Sequence, residues 1–211
     1  MIKKGILVGI IFLIQLLMSD SLFAKSIPIR VQSDTLYAGD TLEVFSIERV
    51  VDEVRAGDVV VLSEYHDNLT HHLHQKEFLE ALTERHPEIK ISVGMEFFEY
   101  TDQNDVDRFL KGEVEEKVFL EEIKWGSISF DFYRPLVLQP LESKGWTYGI
   151  NAPRALTSKV SKQGLESLND QERSLLPPQF ELGLDSYKKR FVEVIGGGHP
   201  LPERQIERYF T

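Results

Sequence analysis

Several carboxylate, imidazole and guanidinium side chains follow or interrupt apolar runs of this sequence. Such residue types are suited to acid-base chemistry or to holding a metal or cofactor. They are Glu64, His66, Glu96, Arg134 and Arg154. A carboxylate in or just beyond an apolar run is costly unless an arginine, a histidine, a metal or a proton neutralises it. We therefore expect both glutamates to be neutralised, either in a ligand-binding or catalytic cluster or in an ion-pair network that only holds strand ends.

Five of the six histidines lie between His66 and His86. His71 and His72 fall in the first turns of a predicted helix, so both should point back toward the segment that carries Glu64. No zinc-binding HExxH helix, phosphate-binding loop, dinucleotide fingerprint or nucleophile elbow accompanies them. The site is therefore predicted from the combination of these residues, because no single short motif identifies it.

The candidate residues need strands and helices to bring them together. Apolar runs at 59–62, 89–98 and 146–150 alternate with helical patterns at 69–86 and 153–163. The first run is continuous and β-branched, which is typical of a strand buried on both faces of a parallel sheet. The alternation predicts an α/β fold, a three-layer sandwich with a mainly parallel sheet flanked by helices. Ligands of such folds bind beyond the carboxyl ends of the strands.

Other regions are predicted more simply. Residues 27–48 contain a turn signal and favour a hairpin, and 46–55 favour a short helix. Short helices are also expected after Thr101 or Asp102 and within 113–124.

Composition limits the possible functions. The chain has 211 residues, no cysteine and a formal net charge of -10. The acidic balance argues against binding nucleic acid through phosphate contacts. The absence of cysteine excludes a disulfide scaffold, a thiolate ligand and a lipid anchor on cysteine.

The first 24 residues are predicted to be a secretory signal peptide. Lys3 and Lys4 precede an apolar run that extends from Gly5 to Met18, and Ala24 is the expected end. The run is short for a membrane-spanning helix. We therefore expect a periplasmic or secreted protein whose folded domain covers residues 25–211.

Five segments taken together resemble the ChaN-like family, which is part of a wider group that includes the Tiki proteases and erythromycin esterases. They are Leu62-Ser63-Glu64-Tyr65-His66-Asp67-Asn68, His71-His72-x-x-Gln75, Gly94-Met95-Glu96-Phe97-Phe98, Tyr133-Arg134-Pro135 and Asn151-Ala152-Pro153-Arg154. The resemblance implies haem binding in iron uptake, in partnership with an outer-membrane haem receptor system. It also implies a homodimer that stacks two haems at its interface.

The sequence departs from the family pattern in three ways. Ser63 stands where the family has glycine before the first glutamate, and the lipid-anchoring cysteine is absent. Residues 206–211 resemble the start of a family helix that normally continues, so we expect the carboxyl-terminal part of the fold to be missing. A degenerate remnant of a longer protein is one interpretation of this ending.

Haem needs an axial ligand, an apolar slot and cations for its propionates. Without cysteine, the axial candidates are Tyr133, His66 and His199, in that order. The other predicted haem contacts are Glu64, Glu96, His72, Arg134 and Arg154, with the arginines facing propionates or the two glutamates. Tyr65, Met95, Phe97 and Phe98 are candidates for the apolar wall.

A hydrolase of the wider group is the alternative function. In that case Glu64, His66 and Glu96 would perform acid-base or metal-assisted hydrolysis of a peptide or ester.

Overall fold

The computed structural model describes residues 35–39, 41–179 and 184–196, together with 202 and 206. The predicted signal peptide, His199 and most of the final segment lie outside these residues. The chain divides into two units. Unit 1 comprises residues 1–93 and 125–147, and unit 2 comprises 94–124 and 148–211.

Unit 1 opens with a short hairpin and two helices. Strands β1 (Leu36–Tyr37) and β2 (Val44–Phe45) pair antiparallel, as the turn signal predicted. Helix α1 (Ile47–Glu53) begins at Ser46, whose hydroxyl accepts a hydrogen bond from the backbone N–H of Arg49. Helix α2 (Leu69–Arg85) begins at Asn68 and ends before Pro87, within a residue of its predicted bounds.

Helix α2 buries one face against the rest of unit 1. The buried positions are His71, His72, Phe78, Leu79 and Leu82, whose helical spacing places them on one side of α2. Helix α1 packs on α2. At the far end of α2, Nε2 of His86 contacts the carbonyl oxygen of Val51 at 2.8 Å. Helix α5 (Arg134–Leu138), between 3₁₀ turns at Phe130–Phe132 and Gln139–Ser143, adds the other side of this core.

Unit 2 contains the parallel strand pair, apart from the first residue of each strand, and several helices. Strands β3 (Val93–Glu99) and β4 (Thr147–Asn151) pair in parallel, so the α/β class is confirmed. A 3₁₀ turn at Tyr100–Asp102 leads into α3 (Gln103–Leu110), which packs on α4 (Glu116–Glu122). Phe119 of α4 is fully buried and stacks on Phe109 with ring centroids 4.4 Å apart.

The last helices complete unit 2. Helix α6 (Arg154–Gln163) follows Pro153 and ends at Gly164, whose φ of 91° is a left-handed conformation that favours glycine. A 3₁₀ turn at Leu165–Ser167 leads to α7 (Asp170–Arg173), and α8 spans Asp185–Gly196. None of the helices that the structure describes has the length and apolar character needed to cross a bilayer.

The prediction of a strand at residues 59–62 is wrong. Residues 59–62 form no strand, and Val59 and Val61 are 79% and 60% exposed. From 59 to 65 exposure alternates, with odd-numbered residues exposed and even-numbered residues half-buried. This period of two is that of an extended chain with one covered face. Only one face of this segment is therefore covered, whereas burial of both faces was expected.

Candidate functional site

Glu64 is the centre of a polar cluster in unit 1, which we call the Glu64 cluster: Glu64, His66, His72 and Tyr133. The hydroxyl of Tyr133 donates a hydrogen bond to Oε1 of Glu64 over 2.5 Å, and Nδ1 of His66 donates to the same oxygen over 2.8 Å. Nδ1 of His72 lies 3.2 Å from Oε2. The side chain of Glu64 is only 10% exposed. The expectation that Glu64 needs partners is confirmed, and His66 is one of them.

The partners of Glu64 favour its charged form. Burial raises the pKa of this carboxyl, but the hydrogen bonds from Tyr133 and His66 and the charge of His72 together lower the pKa below its ordinary value. The cluster therefore keeps a carboxylate that is almost covered and held by hydrogen bonds at neutral pH.

His71 and His72 both hold the backbone that follows Glu64. Nδ1 of His71 accepts a hydrogen bond from the backbone N–H of Tyr65 over 2.8 Å. Nε2 of His72 donates to the carbonyl oxygen of His66 over 3.1 Å, because a carbonyl oxygen only accepts. Each imidazole is 3% exposed. The predicted direction of the two side chains is therefore confirmed, and their burial shows that their contacts are with the loop.

Aromatic rings enclose His72. Its imidazole stacks on Phe132 with ring centroids 4.9 Å apart and 13° between the planes, and it meets Tyr133 edge-on at 4.8 Å. Nδ1 of His72 is buried without a hydrogen bond of good geometry, although Glu64 is within ion-pair distance. Oε1 of Gln75 is also buried without a hydrogen-bond partner. Sequence reasoning missed Phe132; its position next to Tyr133 was the available signal.

The exposed part of this region lies at Tyr65 and His66. The Tyr65 residue is 48% exposed and the His66 side chain is 53% exposed. The exposed row of residues consists of Val59, Val61, Ser63 and Tyr65, and His66 follows its last member in the chain. An apolar row that ends in an aromatic ring and an imidazole can contact a flat apolar ligand and place a nitrogen near it.

The predicted arginines have carboxylate neighbours. Nη1 of Arg134 lies 2.5 Å from Oδ1 of Asp131. The hydrogen bond from Arg134 is the main cause of the lowered pKa of Asp131. In unit 2, the backbone N–H of Arg154 donates to Oε1 of Glu99 over 2.9 Å, and its side chain is 70% exposed. Both guanidinium groups are at least partly accessible to solvent.

The expectation that Glu96 carries a burial cost and needs a neutralising partner is wrong, whereas its predicted haem contact stays a prediction. The structure places it in unit 2 on β3 with an exposed side chain, so it has no burial cost to offset. The surrounding apolar run includes Met95 and Phe98, which are buried, whereas Glu96 between them is exposed. In the part of the chain that the structure describes, no group of three or more acidic or histidine side chains is arranged to hold a metal ion.

Comparison with known proteins now adds to this geometry. Residues 50–211 match the family described as haem-binding uptake, Tiki superfamily, ChaN. No curated protein matches the chain. The fold is similar to a solved structure of ChaN from Campylobacter jejuni, described as showing cofacial heme binding. The TM-score is 0.61 at 21% identity, and the similarity covers 81% of this chain and 67% of that one. The match over 50–211 shows that this chain belongs to the ChaN family of haem-binding uptake proteins.

Proposed function

We propose that this protein binds haem along the exposed row of unit 1, beside the Glu64 cluster, and serves haem uptake outside the cytoplasm. The observation that carries the proposal is an exposed, largely apolar row that is followed directly in the chain by His66, an accessible imidazole hydrogen-bonded to a carboxylate. Family membership supports haem as the ligand. The predicted signal peptide supports export from the cytoplasm.

His66 is the iron ligand that the geometry favours. Imidazoles that bind metals usually donate their other N–H to a carboxylate or carbonyl, which fixes the ring and raises its basicity. Nδ1 of His66 donates to Glu64 in this way, and the side chain is half exposed. Tyr133 is 1% exposed and its hydroxyl donates to Glu64, so ligation there would need the surrounding side chains to move aside. His199 lies outside the described residues.

The remaining parts of a haem site have partial support. Val59, Val61 and Tyr65 supply exposed apolar surface. In unit 1, Arg134 is the cation that we propose for a propionate, and that carboxylate would compete with Asp131 for Arg134. The role expected for Arg154 stays a prediction. A homodimer with haem at its interface, and delivery to or from an outer-membrane receptor, complete the proposal.

Titration of the mature protein with ferric haem tests this function. Wild-type protein should give a saturable shift of the Soret band, and His66→Ala should change the band position and weaken binding by at least about tenfold. Tyr133→Phe should retain the wild-type position of the Soret band, because His66 is still the ligand. His86→Gln is the matched control, because glutamine keeps a donor for the carbonyl of Val51 while removing one histidine from unit 1. Loss of the shift in Tyr133→Phe but not in His66→Ala would assign the iron to Tyr133.

Acid-base hydrolysis is the second candidate function. The Glu64 cluster joins a carboxylate, an accessible imidazole and a phenol by short hydrogen bonds, an arrangement that could transfer protons. Peptidase or esterase activity that disappears in Glu64→Gln, in a protein that gives no Soret shift, would favour this function over haem binding.

A further inference from the structure

We propose that His71 and His72 are positioning residues, which hold the backbone of Tyr65 and His66 so that the exposed imidazole of His66 stands in one place. This proposal rests on the haem-binding function proposed above, because that function supplies the ligand. It assigns His72 a different role from the haem contact predicted from the sequence.

The two histidines hold the two ends of one short segment, residues 65–66. His71 accepts from the N–H of Tyr65, and His72 donates to the C=O of His66. The two bonds therefore join neighbouring residues of the segment to neighbouring residues of α2. Because α2 is a regular helix that begins at Asn68, the imidazoles have a firm support. A single turn of chain separates this segment from α2. In that turn the N–H of Asn68 donates to the carbonyl oxygen of Tyr65 over 2.9 Å.

The chemistry of each position requires a particular nitrogen. At position 71 the segment needs an acceptor, and Nδ1 supplies it. Burial is the main effect that lowers the pKa of His71, and the charges of His72 and His74 lower it further. The lowered pKa favours the neutral ring, which can accept a hydrogen bond. At 72 the segment needs a donor at Nε2. Asparagine places its carbonyl oxygen near the position of Nδ1, and glutamine places its amide nitrogen near that of Nε2.

Burial separates this role from direct contact with a ligand. Both imidazoles are 3% exposed, and His72 is held between Phe132 and Tyr133. A haem placed against the surface would meet Tyr65 and His66, whose side chains are about half exposed, before it met either buried histidine. His71 and His72 act on the ligand only through the segment that they hold.

Two measurements on the mature protein test the proposal, with variants that keep or remove each bond. In ligand-free protein, hydrogen exchange at the amide of Tyr65 should be about tenfold faster in His71→Ala than in wild type, and His71→Asn should restore protection. With ferric haem, His72→Phe, which keeps the aromatic packing, should shift the Soret band and weaken binding. His72→Gln should retain both.

The outcomes separate the two proposals. A wild-type protein that gives no Soret shift overturns the proposed function and, with it, the role in haem binding. If wild type binds haem but His71→Ala and His72→Phe keep wild-type exchange and spectra, the positioning role alone is overturned. Equal effects of His72→Phe and His72→Gln also overturn it, because then the donor at position 72 has no part in binding. Circular dichroism of every variant identifies any that fails to fold.

Discussion

Tyr133 donates its hydroxyl proton to a hydrogen bond with Oε1 of Glu64, 2.5 Å away, although the two residues are 69 positions apart in the chain. The contact joins the segment before α2 to the turn before α5. Because the phenol ring is buried and the carboxylate nearly so, the bond contributes to both the stability of unit 1 and the position of Glu64.

Replacing Tyr133 by phenylalanine should therefore lower the free energy of unfolding. The ring packing remains, but a buried hydrogen bond to a charged group is lost, which costs about 1.5–3 kcal/mol. Urea unfolding monitored by circular dichroism measures the change. Tyr65→Phe is the control: its side chain is half exposed, so the expected change is within about 0.5 kcal/mol. Equal stability of both variants would contradict the importance of the Tyr133–Glu64 bond.

The stability of unit 1 should depend on the charge of Glu64. Its pKa is lowered in the folded protein, so the carboxylate contributes stability above its ordinary unfolded pKa of about 4.3. That contribution is lost as the pH falls through the folded pKa. Wild type should exceed Glu64→Gln in unfolding free energy at pH 7, and the difference should shrink toward pH 3. A constant difference across this range would show that Glu64 is not the titrating group.

A methyl group at position 145 should destabilise the protein. A Cβ there would lie 1.7 Å from the carbonyl oxygen of Ile91, a backbone atom that cannot move aside cheaply. Gly145→Ala is expected to cost about 1–3 kcal/mol or more. Gly126→Ala is the matched control in the same unit, because no atom lies within 4 Å of its Cβ position. Thermal unfolding should separate the two variants, and a Gly145→Ala protein as stable as the control would refute the close approach.

Truncating Phe119 should weaken unit 2. The ring is fully buried, stacks on Phe109 and meets Phe98 edge-on with centroids 5.6 Å apart. Phe119→Ala should cost about 3–5 kcal/mol through lost burial and the cavity that remains. The neighbouring Val118 is 41% exposed, so Val118→Ala should cost far less. Similar losses for both variants would mean that the stacked rings contribute little.

The sequence predicted the elements whose signals are local. Helix α2 has an asparagine cap, a stripe at helical spacing and a proline beyond its end, and it formed as expected. Residues 59–62 have an equally clear β-branched pattern, but strand formation needs a hydrogen-bonded neighbour, which no local pattern supplies. The exposure of Glu96 depends on which parts of β3 are covered by other elements, and those elements come from distant parts of the chain.

The site was likewise predictable only where its signals are local. A carboxylate next to an apolar run must be neutralised, which made Glu64 predictable, and helical spacing gave the direction of His71 and His72. The identity of the buried partner of Glu64 was not predictable, because Tyr133 comes from a distant part of the chain. The sequence favoured Tyr133 as a ligand for iron, whereas its hydroxyl donates to Glu64. The assignment of the iron remains a prediction.

The exposed row also affects how the protein behaves in concentrated solution. Val59 and Val61 belong to a β-prone apolar run, and exposed runs of this kind promote intermolecular pairing. Asp58 directly precedes the run and is exposed, and an acidic flank acts as a gatekeeper against such pairing. The net charge of -10 adds repulsion between molecules at pH 7, which disappears near the sequence pI of about 5.1. Colloidal stability should therefore be poorest in mildly acidic buffer, and a ligand that covers the row should improve it.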